Sequence, residues 1–186
     1  TQGDLAAAVL VRRERSGTPL PWTTRAGLKA LNRGKPQLRN ITEVEKYVDA
    51  ALAQATPERR VASCLPILCG LASGEVRHLV AADIDFKAGV LWVRTDDEAD
   101  DNDGWSVKSA NRRRPREIPA ILESDLQALV ALNEPHEYLF RQKEGNKARG
   151  RTWLRDRVIA VCTAAGVKHV SPHGLRATYS SVQTFL

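Results

Sequence analysis

The chain changes its hydrophobic period twice, and this limits what it can fold into. In "NITEVEKYVDAALAQA" (40–55), Val44, Val48, Ala51 and Leu52 form one helical stripe. Thr42 with Glu45 three residues later has the form of a capping box. "PERRVASCLPILCGL" (57–71) starts with Pro at a first-turn position, and Gly70 ends it. Pro66 inside it is expected to kink or loosen the helix. Residues 73–82 predict another short helix, with Ser73 as its cap and Val76, Leu79 and Val80 inward. Then the period shortens. "GVLWVRT" (89–95), "WSVKS" (105–109) and "REIPA" (116–120) are strand-like and predict a three-strand antiparallel meander. Helical spacing returns in "ESDLQALVALN" (123–133) and in "TWLRDRVIAVCTAAG" (152–166), where Gly166 closes the helix. A last helix starts at Pro172 or His173. The fold class that follows is α+β: mainly α, with a small three-stranded antiparallel sheet.

Compact structure is expected to begin near Leu38. Residues 1–37 are basic and punctuated by Gly and Pro ("SGTPLPW", 16–22), which suits an arm or interdomain linker. Residues 1–40 hold eight basic and two acidic side chains, a difference equal to the whole formal charge of +6. The remainder is balanced, yet its signs segregate: "TDDEADDND" (95–103) is acidic, while "NRRRPR" (111–116) and residues 141–157 are basic. A basic arm with basic loops fits an anionic polymer, most simply nucleic acid, and equally a solvated surface that favours solubility.

Several classes are excluded by pattern. No apolar run approaches the roughly 18 residues that span a bilayer, so no membrane role is expected. Cys64, Cys69 and Cys162 form no CxxC and read as reduced, buried thiols of a cytosolic protein. The four histidines are scattered and lack metal-ligand spacing. The acidic loop fails as an EF-hand, because setting Gly104 at the sixth position puts Ala99 and Ala110 at the first and twelfth. Neither a P-loop nor a GxSxG elbow is present. No metal or cofactor is expected.

What remains is an order of motifs: "CGLASGEVRHLVAADID", then "VKSANRRRPREIPA", then "SPHGLRATYSS". In order and spacing they resemble the catalytic domain of the tyrosine recombinases, the phage integrase family, over roughly residues 38–182. Any one of these motifs is weak alone; three in register are fairly specific. The resemblance implies site-specific cutting and rejoining of double-stranded DNA through a 3′-phosphotyrosyl link. It also implies a homotetramer on two synapsed sites and a cytoplasmic, nucleoid-associated location. Carried over residue by residue, Lys108 is the sheet lysine that protonates the leaving oxygen. His173 assists proton transfer, and Arg176 holds non-bridging phosphate oxygens. The chemistry suits these types: negative charge grows on those oxygens, and guanidiniums meet it with charge-assisted, bidentate hydrogen bonds. A covalent tyrosyl link keeps the bond energy for rejoining. Arg112, Arg113 and Arg114, and then Arg151, Arg155 and Arg157, are expected to contact DNA phosphates. Tyr179 and Tyr138 are expected to be structural.

Two departures stand out. The position of the first family arginine is Ala72, although the accompanying acid, Glu75, is present. Loss of such a donor costs on the order of a hundredfold or more in rate. Arg77, two residues past Glu75, is turned away from the Ala72 face and is a poor substitute. An engineered inactivation and natural decay both fit Ala72. Second, the family's nucleophilic tyrosine is expected beyond Leu186, so residues 38–186 read as a catalytic domain truncated before it. The competing reading is a degenerate recombinase fold kept as a non-catalytic DNA-binding or regulatory module.

Overall fold

The structure, a computed structural model, describes residues 36–93 and 114–184, with side chains described to residue 181. Helix α1 (Ile41–Leu52) is capped by Asn40, whose side chain accepts from the Glu43 N–H at 2.9 Å. Thr42 is therefore inside the helix. Asn40 takes the cap because Glu43, three residues on, also accepts from the Arg39 N–H at 2.6 Å, a capping arrangement set two residues earlier than Thr42–Glu45. Helix α2 (Pro57–Leu68) has Thr56 as its N-cap and Pro57 in its first turn. It continues through Pro66. The Tyr47 hydroxyl donates to the nearby Ser63 carbonyl at 3.1 Å.

Helix α2 is the axis of the fold. Its residues from Val61 to Ile67 are all buried, as expected for a helix wrapped on every side. It packs against α1, α4 (Ala120–Val130), α5 (Trp153–Ala165) and α6 (Pro172–Thr184). Arg60 ties α2 to α4 through a two-pronged bond to Asp125, both prongs 2.6 Å. Helix α5 ends at Gly166, whose φ of 63° forms the left-handed C-cap expected from sequence. Short α3 (Ser73–Arg77) follows α2. It ends far earlier than the 73–82 period suggests. The next residues turn at Ala81–Asp83, where the Asp83 carboxylate accepts from the Val80 N–H, and they bond to the 135–139 loop, Leu139 N–H to the Leu79 carbonyl.

The sheet is three-stranded and antiparallel, in the order β1 (Ile84–Asp85), β2 (Val90–Val93), β3 (Arg114–Glu117). The strand composition differs from the expected meander. Strand β2 is central and pairs directly with β3, while Ile84–Asp85 fills its other side. Residues 105–109 lie outside the described residues. Alternation turns Leu91 and Val93 into the core, at 0% and 1% exposure, and Trp92 outward. Pro115, which cannot donate to a ladder, is accommodated on an outer strand of the described sheet.

Candidate functional site

The site is built where α3, β3 and α6 meet. Glu75 is the third residue of α3, and its carboxylate turns back to accept from the Ala72 N–H at 2.7 Å. That places the Glu75 side chain, 1% exposed, directly beside Ala72. Two guanidiniums reach the same carboxylate. Arg176 of α6 donates through Nη1 at 2.9 Å, and Arg114 of β3 donates through Nη2 at 3.2 and 3.3 Å to the two oxygens.

The sheet register explains why Arg114 arrives there. Directly opposed residues on an antiparallel ladder share a face. Arg114 is opposite Val93 and Arg116 is opposite Leu91, so both arginines are on the buried face. Arg116 lies with its guanidinium 5.7 Å from the centre of the Tyr179 ring, within the range of a cation–π contact. The same ring packs against Gly70: a Cβ there would sit 2.3 Å from the ring. Gly70 also has φ +66°, so it is required twice over. Tyr179 is thus gripped as a packing residue, as its position in the sequence suggests.

The cluster is crowded with positive charge: Arg114 and Arg176 both reach the Glu75 carboxylate, and Arg116 is close enough to act on Arg114. Burial pulls Arg114 below its ordinary value; Glu75 opposes this, and the nearby Arg116 and Arg176 add to the lowering. Arg114 and Arg176 keep 20% and 26% of their side chains exposed, whereas Glu75 is sealed. The carboxylate therefore sits behind and the guanidiniums in front.

Among the expected site residues, Ala72 and Arg176 are brought together through Glu75. His173 is exposed in the first turn of α6, three residues before Arg176. Arg114 joins the cluster as an inward-facing strand residue rather than as part of an outer loop. Lys108, Arg112 and Arg113 lie outside the described residues. Arg151 and Arg155 are exposed at the start of α5, where Arg155 is 3.5 Å from Asp156, a surface pair worth little. Arg157 is half-buried on the same helix. Arg77 is buried and donates through Nε to the Arg149 carbonyl, so it does not replace an arginine at 72. Tyr138 bridges to Val80 and meets the His78 ring edge-on, a structural role. Arg116 was not among the expected site residues. Its signal was alternation with Arg114 on a strand whose register is set by Leu91 and Val93.

Among the described residues there is no group of His, Cys, Asp and Glu that could hold a metal ion, and no helix is long and apolar enough to cross a membrane.

No family model matches the sequence, and no curated protein matches it. Solved structures do. XerA recombinase aligns with a TM-score of 0.58 at 20% identity, covering 87% of this chain and 62% of that one. The Tn1549 transposon integrase, solved in complex with circular intermediate DNA, aligns with a TM-score of 0.59 at 14% identity, covering 80% and 54%. The integrase from mycobacterium phage Brujita aligns at 0.54 and 16% identity, covering 97% and 55%. This chain thus spans less than two thirds of the length of each. At these identities the likeness is one of fold, that of tyrosine recombinase catalytic domains.

Proposed function

We propose that this chain is the catalytic-domain part of a site-specific DNA recombinase of the tyrosine class, with strand cleavage weakened by alanine at position 72. The observation that carries the reading is the convergence of Arg176, Glu75 and Ala72 at one point of a recombinase-type fold. Arg176 would hold the non-bridging oxygens of the scissile phosphate. His173, one turn away on the same helix, would assist proton transfer, and Lys108 would protonate the leaving 5′-oxygen. Arg112, Arg113, Arg151 and Arg155 would hold flanking phosphates, and residues 1–37 would link to a further DNA-binding part. In the complete protein, a homotetramer would join two DNA sites. The full-length activity belongs to this proposal, since the chain matches only part of each solved relative.

Ala72 favours a second reading, a recombinase fold kept as a non-catalytic DNA-binding module. Both readings require duplex binding. Fluorescence anisotropy with a labelled duplex is expected to show binding that falls steeply with salt, and Arg176→Ala is expected to weaken it about tenfold. Absence of duplex binding at low salt would overturn both. To separate them, Ala72→Arg would be made in the complete gene product and presented with a nicked suicide duplex. A covalent protein–DNA adduct on a denaturing gel supports the recombinase; retained binding with no adduct supports the module.

A further inference from the structure

We propose that Arg114 takes over the place left by Ala72, so that Arg114 and Arg176 form a two-guanidinium clamp for a phosphodiester, with Glu75 orienting both from behind. The inference rests on the reading of this site as one that handles DNA phosphate.

Three observations carry it. First, Arg114 and Arg176 share one carboxylate, at 3.2 and 2.9 Å, which fixes two forks side by side although they come from residues 62 positions apart on different elements. Second, the exposure gradient points one way: Glu75 is 1% exposed, while the two arginines keep 20% and 26%. An anion from solvent meets guanidinium first, and the carboxylate cannot compete from the surface. Third, positive charge is concentrated there: burial lowers the affinity of Arg114 for its proton, Glu75 opposes this, and the neighbouring Arg116 and Arg176 lower it further. An anion in front of the pair relieves that crowding.

The ligand chemistry follows from the donors. Two planar forks held at fixed spacing match the two non-bridging oxygens of a tetrahedral phosphodiester better than a single carboxylate. Position 72 also fits. Its N–H already lies on the Glu75 carboxylate at 2.7 Å, the same group that Arg114 reaches. Arginine at 72 and arginine at 114 are thus two ways to supply one guanidinium.

The test is an NMR titration of the chain with inorganic phosphate, following arginine Nε–Hε signals. Those of Arg114 and Arg176 are expected to move together with one dissociation constant. Arg114→Gln and Arg176→Gln should each weaken phosphate binding about tenfold, and Ala72→Arg added to Arg114→Gln should restore it. An unchanged titration in Arg114→Gln, or phosphate shifts confined to Arg176, would overturn the clamp. Circular dichroism checks folding. If Arg114→Gln does not fold, Arg114→Lys decides, because it keeps the charge and loses the fork: weaker phosphate binding at unchanged melting temperature supports the clamp, and unchanged binding overturns it. The duplex experiment separates the two levels. Failure to bind DNA with an intact phosphate titration counts against the recombinase reading alone. Duplex binding with a phosphate titration insensitive to Arg114 counts against the clamp alone.

Discussion

Glu75 accepts from three directions: the Ala72 N–H, Arg176 and Arg114. Neutralising it removes a negative charge that offsets the mutual repulsion of the Arg114 and Arg176 guanidiniums. Glu75→Gln is expected to destabilise the fold by about 2–3 kcal/mol. That is below the usual cost of breaking a fully buried pair, because both arginines retain some water. Urea denaturation measures it. Addition of phosphate should recover part of the loss, since an anion in front of the pair then does some of the carboxylate's work. The sequence made Ala72, Glu75 and Arg176 legible because each sits in a short motif with fixed helical spacing. It did not make Arg114 legible as their neighbour. That contact spans 39 residues and depends on which of two strand faces turns inward, something the β2–β3 register decides and local pattern does not.

At the scale of elements, the chain advertises its stops more clearly than its starts. Gly166 ends α5 because only a residue tolerant of positive φ closes that turn without strain, and Pro57 fits the first turn of α2 for a similarly local reason. The start of α1 lies two residues before the one expected from Thr42 and Glu45, because Asn40 also has a glutamate three residues on and takes the cap. The structure uses Asn40. Asn40→Ala is therefore expected to cost about 1 kcal/mol and Thr42→Ala only a few tenths, read as shifts in urea midpoint; equal losses would place the cap at Thr42. The short α3 and the central position of β2 were illegible for a common reason. Both are set by partners distant in sequence, the 135–139 loop for the turn after α3 and β3 for the sheet. The overall helix–sheet–helix order survived these local misreadings because it rests on hydrophobic period.

Over the whole molecule, buried groups that must stay neutral set the alkaline limit. Burial pushes the Cys69 thiol up to about 12 and Cys64 higher still; Cys162 is also raised, and burial lifts Tyr47 well above the usual phenol value. An unfolded thiol ionises near about 8.5. Above that pH the unfolded chain holds fewer protons than the folded one, so stability falls as pH rises. Below the unfolded value the contribution is fully present, and for Cys69 the loss runs from there to its folded value of about 12. Each deeply buried thiol contributes a slope of about 1.4 kcal/mol per pH unit. Urea midpoints between pH 8 and pH 10 should therefore decline, and Cys64→Ala with Cys69→Ala should flatten the decline; an identical slope in the double variant would place the alkaline limit elsewhere.

The segment entering the described chain lies across its last helix. The Leu38 N–H donates to the Thr178 hydroxyl at 3.3 Å, and Gly174 has no room for a Cβ because the Pro36 carbonyl would be 2.2 Å away. The Leu38–Thr178 bond joins residues 140 positions apart, and α6 packs against the central helix α2. Viewed in time, the fold therefore closes late. As the chain leaves the ribosome, Glu75 is made first, Arg114 next and Arg176 last, on the same helix whose arrival seats Leu38 and covers α2. A nascent chain holds the carboxylate and one guanidinium long before the second, so the proposed two-guanidinium clamp assembles only once α6 has docked.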